Sequence, residues 1–352
     1  MSRNSTANEI ATVGIDIGKN TFHLIGLDKR GAIVLQVKLS RGQLERRLAN
    51  VPRCLVGLEA CSGSHHIGRQ IEALGHDVRL IPAQYVKPFL KGHKNDYRDA
   101  EAIAEAVQRP TMRFVRIKTP DQMDLLALHR VRARFVSQRT GVINQIRGFL
   151  IERGITVRQG PAPLRKALPE ILSSNAATLS PRLVHVITDL ADDWRRLDAR
   201  IASVSGEIEA LAEQDVGCQR LMTVPGIGPT ISSAVVAAIG DGSGFKQGRD
   251  FGAWLGLVPR QESTGDRTIL GKISKRGNKY LRTLFAQAAH VVLVRRPAAA
   301  MRGLWPWIEQ ASKRLAHRNL LAIALANKLA RIAWAVLARG RDYEPRITIN
   351  AA

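Results

Sequence analysis

Four carboxylates in this chain stand where phosphate chemistry would need them: Asp16, Glu59, Asp96 and Asp99. Asp16 lies in Val13-Gly14-Ile15-Asp16-Ile17-Gly18-Lys19, a short apolar run ended by glycine. Glu59 closes a second run, Cys54-Leu55-Val56-Gly57-Leu58-Glu59. Asp96 and Asp99 fall three apart in Lys94-Asn95-Asp96-Tyr97-Arg98-Asp99-Ala100, so a helix there carries both on one face. Acids gathered in this way repel unless a cation lies between them. They point to Mg2+, held by Asp16, Glu59, Asp96 and Asp99, and to catalysis at a phosphodiester.

The segments around these acids alternate between strand-like and helical patterns. Residues 11–17 and 21–27 flank the turn Gly18-Lys19-Asn20 and predict two antiparallel strands, with residues 32–39 as a third. A helix over 41–50, a strand over 54–59, a helix over 65–74 ending at Gly75 and a strand over 78–81 stopped by Pro82 follow. Three strands, helix, strand, helix, strand is the order of an α/β ribonuclease-H-like (RuvC-like) domain. In that fold, acids on strand one, strand four and a late helix converge on one edge.

At 352 residues the chain accommodates two domains with ordinary cores. A formal net charge of +23, with basic residues in clusters, implies a polyanionic partner. Three cysteines, Cys54, Cys61 and Cys218, at no metal-ligand spacing fit a reduced cytosolic protein without structural disulfides. Residues 1–9 are polar and give no secretory signal. The apolar stretch 320–337 is interrupted by Asn327, Lys328 and Arg331, so it predicts a buried amphipathic helix in a soluble protein.

Beyond the acid region, residues 121–153 are helical and basic, with Arg130, Arg132, Arg134, Arg139 and Arg147. Gly160-Pro161-Ala162-Pro163 predicts a break. Residues 180–213 then form a long amphipathic helix opened by Ser180-Pro181. Its Leu183, Val186, Ile187, Leu190, Trp194, Leu197, Ile201, Val204, Ile208 and Leu211 approximate a heptad seam. That seam serves either packing inside the subunit or a coiled-coil dimer. A second domain begins near Asp215. Its turn Pro225-Gly226-Ile227-Gly228-Pro229, ahead of an apolar helix over 231–239, has the helix-hairpin-helix pattern in which backbone at Gly226 and Gly228 grips a phosphate backbone. The competing reading is a tight helix-packing turn.

A second chemical cluster runs from Gly256 through Pro259, Arg260, Ser263, Thr264 and Gly265. Lys272, Lys275, Arg276, Lys279 and Arg282 follow, five basic residues within eleven positions and no acid among them. Hydroxyls on a glycine-bounded loop beside a cationic strip suit attack on a phosphodiester, the strip neutralising the phosphate. Taken alone, an ordinary polar turn and a solvated basic face explain the same residues.

Together, the two clusters resemble the DEDD insertion-sequence transposases, also called bridge-RNA-guided recombinases, and their relative the Piv DNA invertase. Gly14-Ile15-Asp16 matches the first acid motif, Leu58-Glu59-Ala60 with Gly63 the second, and Lys94-Asn95-Asp96 through Asp99-Ala100 the paired acids. Pro225-Gly226-Ile227-Gly228, Gly256-Leu257-Val258-Pro259-Arg260 and Ser274-Lys275-Arg276-Gly277 match the C-terminal transposase domain. The resemblance implies a RuvC-like DEDD domain over 1–118, a basic helical and coiled-coil linker over 119–214, and a mostly α-helical transposase domain over 215–352. It further implies a nucleophilic serine, a phosphoserine–DNA intermediate, Mg2+, a structured guide (bridge) RNA pairing with donor and target DNA, and a bacterial cytosolic location. Homo-oligomers, dimeric or tetrameric, with composite active sites belong to the same picture. Counting back from Ser274-Lys275 places the nucleophile at Ser263, whereas counting forward from Pro259 gives Thr264. Ser263 is preferred because a primary hydroxyl is less hindered. Arg260, Lys272, Lys275, Arg276, Lys279 and Arg282 would hold the nucleic-acid backbone.

Three rival functions compete. A RuvC-like nuclease would use metal-activated water and no serine. An actin-like or sugar-kinase ATPase would share Gly14-Ile15-Asp16-Ile17-Gly18 as its first phosphate loop, but no second glycine-rich loop follows. A non-enzymatic binding protein would leave the acids unexplained. Among other residues, His65 and His66 read as helix-start residues and His23 as strand packing, while Trp254, Trp305, Trp307 and Trp334 read as core anchors.

Overall fold

A computed structural model of the chain describes residues 10–93, 95–174, 178–295, 303–315 and 317–345. Lys94, the first residue of the paired-acid motif, lies outside them. The chain divides into two compact units, Met1–Pro120 and Asp121–Ala352.

The first unit is a five-stranded mixed sheet with flanking helices. Its elements are β1 (Thr12–Ile17), β2 (Thr21–Leu27), β3 (Ile33–Ser40), α1 (Arg41–Ala49), β4 (Leu55–Glu59), α2 (Ser64–Ala73), β5 (Asp77–Ile81), α3 (Ala83–Val86) and α4 (Asp96–Val107). The strand order is β3-β2-β1-β4-β5. β1, β2 and β3 are antiparallel, whereas β4 and β5 run parallel to β1. This is the ribonuclease-H-like arrangement that the alternation of short apolar runs predicts. Successive side chains of a strand point to opposite faces, and each face has its own core. Val13, Ile15, Phe22, Leu24, Val56 and Leu58 pack with Leu44, Leu48, Ile67 and Ile71 of α1 and α2. On the other face, Ile25 and Leu27 meet Ala100 and Ala104 of α4.

Among the described residues, the second unit is helical apart from one hairpin: α5 (Pro120–Ile151), α6 (Pro161–Ser174), α7 (Pro181–Gln214), α8 (Val216–Met222), α9 (Pro229–Ile239), α10 (Gly248–Trp254), β6 (Pro259–Thr264), β7 (Arg267–Ile273), α11 (Lys279–Arg295), α12 (Trp305–Arg314) and α13 (Arg318–Arg339). The expected break at Gly160-Pro161-Ala162-Pro163 is instead the start of α6. Pro161 occupies a first-turn position, where a missing N–H costs nothing because no helical partner exists there. Ser180 caps α7, its hydroxyl accepting from Leu183 N at 3.3 Å. Ile187 and Trp194 of the seam, with Ala191 beside them, are buried against Ile143, Ile146 and Leu150 of α5 and Leu164, Leu168 and Ile171 of α6, so this part packs within its own subunit. Val186 and Leu211 of the seam are exposed.

The helix α13 is long and apolar enough, by length and composition, to cross a membrane. Its Leu325, Ala326, Leu329, Ala330, Ala333 and Val336 are instead buried in a core with Phe251, Phe285 and Leu281. The expected tryptophan anchors divide. Trp334 donates to Gly242 O at 3.0 Å and packs against this core, as Trp307 does. Trp254 and Trp305 remain 36% and 39% exposed, although the Trp254 ring also stacks on Phe251 and meets Phe245 edge-on.

Candidate active site

Strand alternation assembles the acids. With Val13, Ile15, Val56 and Leu58 turned to one core, Gly14, Asp16, Gly57 and Glu59 fall on the opposite face. The helix α4 crosses that face at very short range. A Cβ at Gly14 would meet Ala100 O at 2.1 Å and Ala104 N at 2.5 Å; one at Gly57 would meet Val107 Cβ at 2.9 Å. Glycine at both positions is therefore what lets α4 lie against β1 and β4. The start of α4 is fixed by Asn95, whose side chain accepts from Tyr97 N at 2.9 Å. Asp96 and Asp99 occupy its first turn, where the helix dipole favours negative charge.

The tightest grouping is Asp16, His23 and Asp96, whose potential ligand atoms all lie within 4.8 Å of one another. His23 stands opposite Asp16 in the β1–β2 register. Its Nδ1 is 3.5 Å from Asp96 Oδ2, and its ring meets Tyr97 edge-on at 4.8 Å. Reading His23 as simple strand packing is thus corrected: it is buried, but it faces the acids. Glu59 and Asp99 stand outside this triplet and act on it through charge. Burial foremost, then the negative charges of Asp99 and Asp96, push the Asp16 carboxyl above its usual range, while His23 pulls it down and Glu59 adds to the rise. Cys61, beside Glu59, is pushed up by burial and by the charges of Glu59 and Asp16. A half-buried carboxylate destabilised by its own neighbours is suited to a divalent cation, and the oxygen-rich donor set fits one.

In the second unit, Ser263 and Thr264 end β6 rather than lying in a loop. The two-residue turn Gly265-Asp266, with Gly265 at φ +56°, closes a tight hairpin. Ser263 pairs with Thr268 and Thr264 with Arg267, so the two hydroxyls point to opposite faces. Ser263 Oγ accepts from Gln261 Nε2 at 2.8 Å and is 3.5 Å from Thr268 Oγ1. Every residue of β6 is exposed.

The basic strip divides by role. Arg260, Lys272, Lys275, Arg276 and Lys279 are exposed. Lys275 has φ +53°, the one non-glycine residue with positive φ among those described, and its N–H donates to Gly256 O at 3.1 Å. Arg282 is half-buried, and its guanidinium donates to Leu255 O at 2.7 Å and Arg276 O at 3.3 Å, fastening the strip to the end of α10. Gly226 has φ +83°, and a Cβ there would meet Val292 at 2.7 Å and Ala288 O at 3.0 Å; its turn is pressed onto α11. Gly228 faces open space.

Several arginines of the basic helix α5 are likewise engaged inside the unit. Arg147 donates to the carbonyls of Val157, Arg158 and Gly160 at 2.7–2.8 Å. Arg139 pairs with Asp198 at 3.0 Å, and Arg132 donates to Ser205 Oγ at 2.8 Å.

Residues 13–153 match the sequence model of the DEDD-type IS110 transposase domain, and residues 218–305 match that described as "Transposase IS116/IS110/IS902 family". A "Probable family 20 transposase" of Pseudomonas aeruginosa is 43% identical over 337 residues, covering 96% of this chain and 99% of the relative. The chain belongs to the IS110/IS116/IS902 family of transposases. The "Transposase for insertion sequence element IS1328" of Yersinia enterocolitica is also 43% identical, over 95% of this chain and 98% of its own length. A "Pilin gene-inverting protein" of Moraxella bovis is 31% identical over 159 residues, 45% of this chain and 47% of its own.

As a transposase, the protein acts on DNA by strand cleavage and transfer. In this transposase, one residue at the acid cluster escapes sequence reasoning: His23. A signal for it exists, because the hairpin turn between β1 and β2 fixes the register that places it opposite Asp16.

Proposed function

We propose that this transposase moves an insertion sequence by Mg2+-dependent DNA strand cleavage and exchange through a phosphoserine link at Ser263. The observation that carries the reading is the convergence of Asp16 and Asp96 within 4.8 Å on the sheet face crossed by α4, with the Asp16 carboxylate destabilised by burial and then by the charges of Asp99, Asp96 and Glu59. Asp16, Glu59, Asp96 and Asp99 would hold the ion. A bound divalent ion supplies Lewis-acid polarisation of the scissile phosphate.

The chain's own groups do the rest. The Ser263 oxygen forms a bond to phosphorus and loses its proton, while the bond from phosphorus to the bridging strand oxygen breaks. That oxygen leaves as a strand-end hydroxyl after taking up a proton. An incoming strand hydroxyl then displaces Ser263, restoring the phosphodiester count. Arg260, Lys272, Lys275, Arg276 and Lys279, all exposed, would neutralise backbone phosphates, and the turn at Gly226 and Gly228 would offer backbone contacts. Arg282 serves this strip by holding it to Leu255.

A structured guide RNA pairing with donor and target DNA belongs to the same proposal, as does a homo-oligomer with composite sites. The net charge of +23 supports a polyanion partner of this size. The division of labour follows residues 1–118 for the acids, 119–214 as linker and 215–352 for the serine, in the cytosol.

Transposition from the element's native flanking DNA tests the core of this reading. Asp16→Ala should abolish strand cleavage and leave DNA binding intact; full recombination by Asp16→Ala refutes the metal site. Sequencing RNA that co-purifies from such a host tests the guide, and the absence of any discrete RNA contradicts it.

A further inference from the structure

His23 is a buried imidazole whose nearest polar neighbours are carboxylates. It is 7% exposed, and among the described residues it makes no hydrogen bond of normal length. Its nearest polar approach is Nδ1 to Asp96 Oδ2 at 3.5 Å, beyond the usual range for a nitrogen–oxygen hydrogen bond. The imidazole thus stands among two carboxylates with room for an ion between the three groups. The edge-on contact with Tyr97 at 4.8 Å, interplanar angle 80°, holds the ring in that orientation. Tyr97 lies between Asp96 and Asp99 on α4, so the element that delivers Asp96 also orients His23.

We propose that His23 contributes a nitrogen ligand to the divalent ion held by Asp16 and Asp96, and that this ligand makes the site bind Mn2+ more tightly than Mg2+. The inference rests on the metal site proposed above and deepens it. The spacing suits such an ion. Metal–ligand bonds of about 2.0–2.2 Å put opposite ligands a little over 4 Å apart. The donor atoms of Asp16, His23 and Asp96 lie within 4.8 Å of one another, so a contraction of a few tenths of an ångström closes the set. Chemistry then separates the metals. Mg2+ is hard and takes oxygen ligands almost exclusively, whereas affinity for a nitrogen ligand rises across the first-row divalent ions, beginning with Mn2+. Mn2+ accepts octahedral oxygen-rich surroundings and a nitrogen as well. Two carboxylates and one imidazole leave coordination positions for phosphate oxygens.

The alternative is a bare ion pair between His23 and Asp96. In that case the β1–β2 register alone brings Asp16 beside them, and the labelled-nitrogen coupling separates it from a bound ion.

The test is pulsed electron paramagnetic resonance of Mn2+ bound to the full-length protein, with and without 15N-labelled histidine, alongside Mn2+ and Mg2+ titrations. The labelled wild type needs no mutation and so no assumption about folding. The expected result is a hyperfine coupling from a directly bound nitrogen that changes with the 15N label. His23→Gln should lose that coupling and bind Mn2+ at least about tenfold more weakly, with Mg2+ affinity nearly unchanged. Mn2+ bound without nitrogen coupling overturns the proposal, as does a coupling that survives in His23→Gln or an equal loss of both metals. Failure of the underlying metal site is seen separately, as Mn2+ binding that Asp16→Asn leaves unaltered or as no binding by the wild type.

Discussion

Replacing Gly14 with alanine should damage the acid site from beneath. The added Cβ would sit 2.1 Å from Ala100 O, 2.5 Å from Ala104 N and 2.8 Å from Ala104 Cβ. Ordinary contact is about 3.5 Å, so α4 must back away from β1 by roughly 1 Å. Two of the three obstructing atoms are helix backbone, which cannot turn aside as a side chain can. Overpacking of this kind costs about 1–3 kcal/mol. Asp96 and Asp99 ride on α4 and move with it, while Asp16 and Glu59 stay on the sheet. A displacement of that size at a reacting centre costs about 100-fold in rate.

The assay pairs urea denaturation with strand cleavage at a fixed, saturating divalent-ion concentration. Gly148→Ala on α5 is the control, since a Cβ there meets nothing within 4 Å. It should stabilise by up to about 1 kcal/mol, as alanine is the better helix former. Wild-type stability and activity in Gly14→Ala would refute the close approach of α4. A loss of stability with unchanged cleavage would keep the packing argument but sink the claim that α4 positions the acids.

Other outcomes follow from the second unit. Burial, then the nearby Arg132, holds the His129 imidazole neutral, its pKa pushed down from 6.5 to about 4. Its Nδ1 meets Tyr280 Oη and its Nε2 meets Ser233 Oγ, each at 3.1 Å. Ser233 Oγ already donates to Pro229 O at 2.6 Å, so His129 Nε2–H donates to the serine and Nδ1 accepts from the tyrosine. As pH falls from 6.5 to about 4 the unfolded chain takes up a proton that the folded chain refuses, so stability falls, by about 3 kcal/mol over the window. Urea midpoints at pH 7 and pH 4.5 should differ less in His129→Gln than in the wild type. Arg282→Gln should lower stability by about 1–2 kcal/mol and leave the salt dependence of DNA binding unchanged. Arg276→Gln should do the reverse, reducing the slope of log affinity against log salt by about 0.9.

Much of the first unit was legible because its signals are local. Alternating apolar positions and the glycine-bearing turn fix β1 and β2, and Asp96 and Asp99 announce a helix start behind Asn95. His23 was missed because a histidine in an apolar strand looks like packing until register is considered. Writing residues 16 and 23 opposite each other across the turn would have found it. The arginines of α5 show the opposite failure. Arg132, Arg139 and Arg147 read only as part of a basic helix, yet their partners Ser205, Asp198 and the carbonyls near Gly160 come from later in the chain. Sequence proximity carries no trace of such pairings. Ser263 was visible as a hydroxyl, but its place on a hairpin, facing away from Thr264, depends on the tight turn at Gly265.

The central claim is that Ser263 becomes joined to DNA in a reaction that needs the acids. Mass spectrometry of tryptic peptides from protein trapped on a cleavable DNA site tests it most directly. The account predicts a nucleotide-bearing phosphate on Ser263, absent from Ser263→Ala and from Asp16→Ala. A modified Thr264 in the wild type, or strand cleavage with no protein-linked DNA at all, would contradict it.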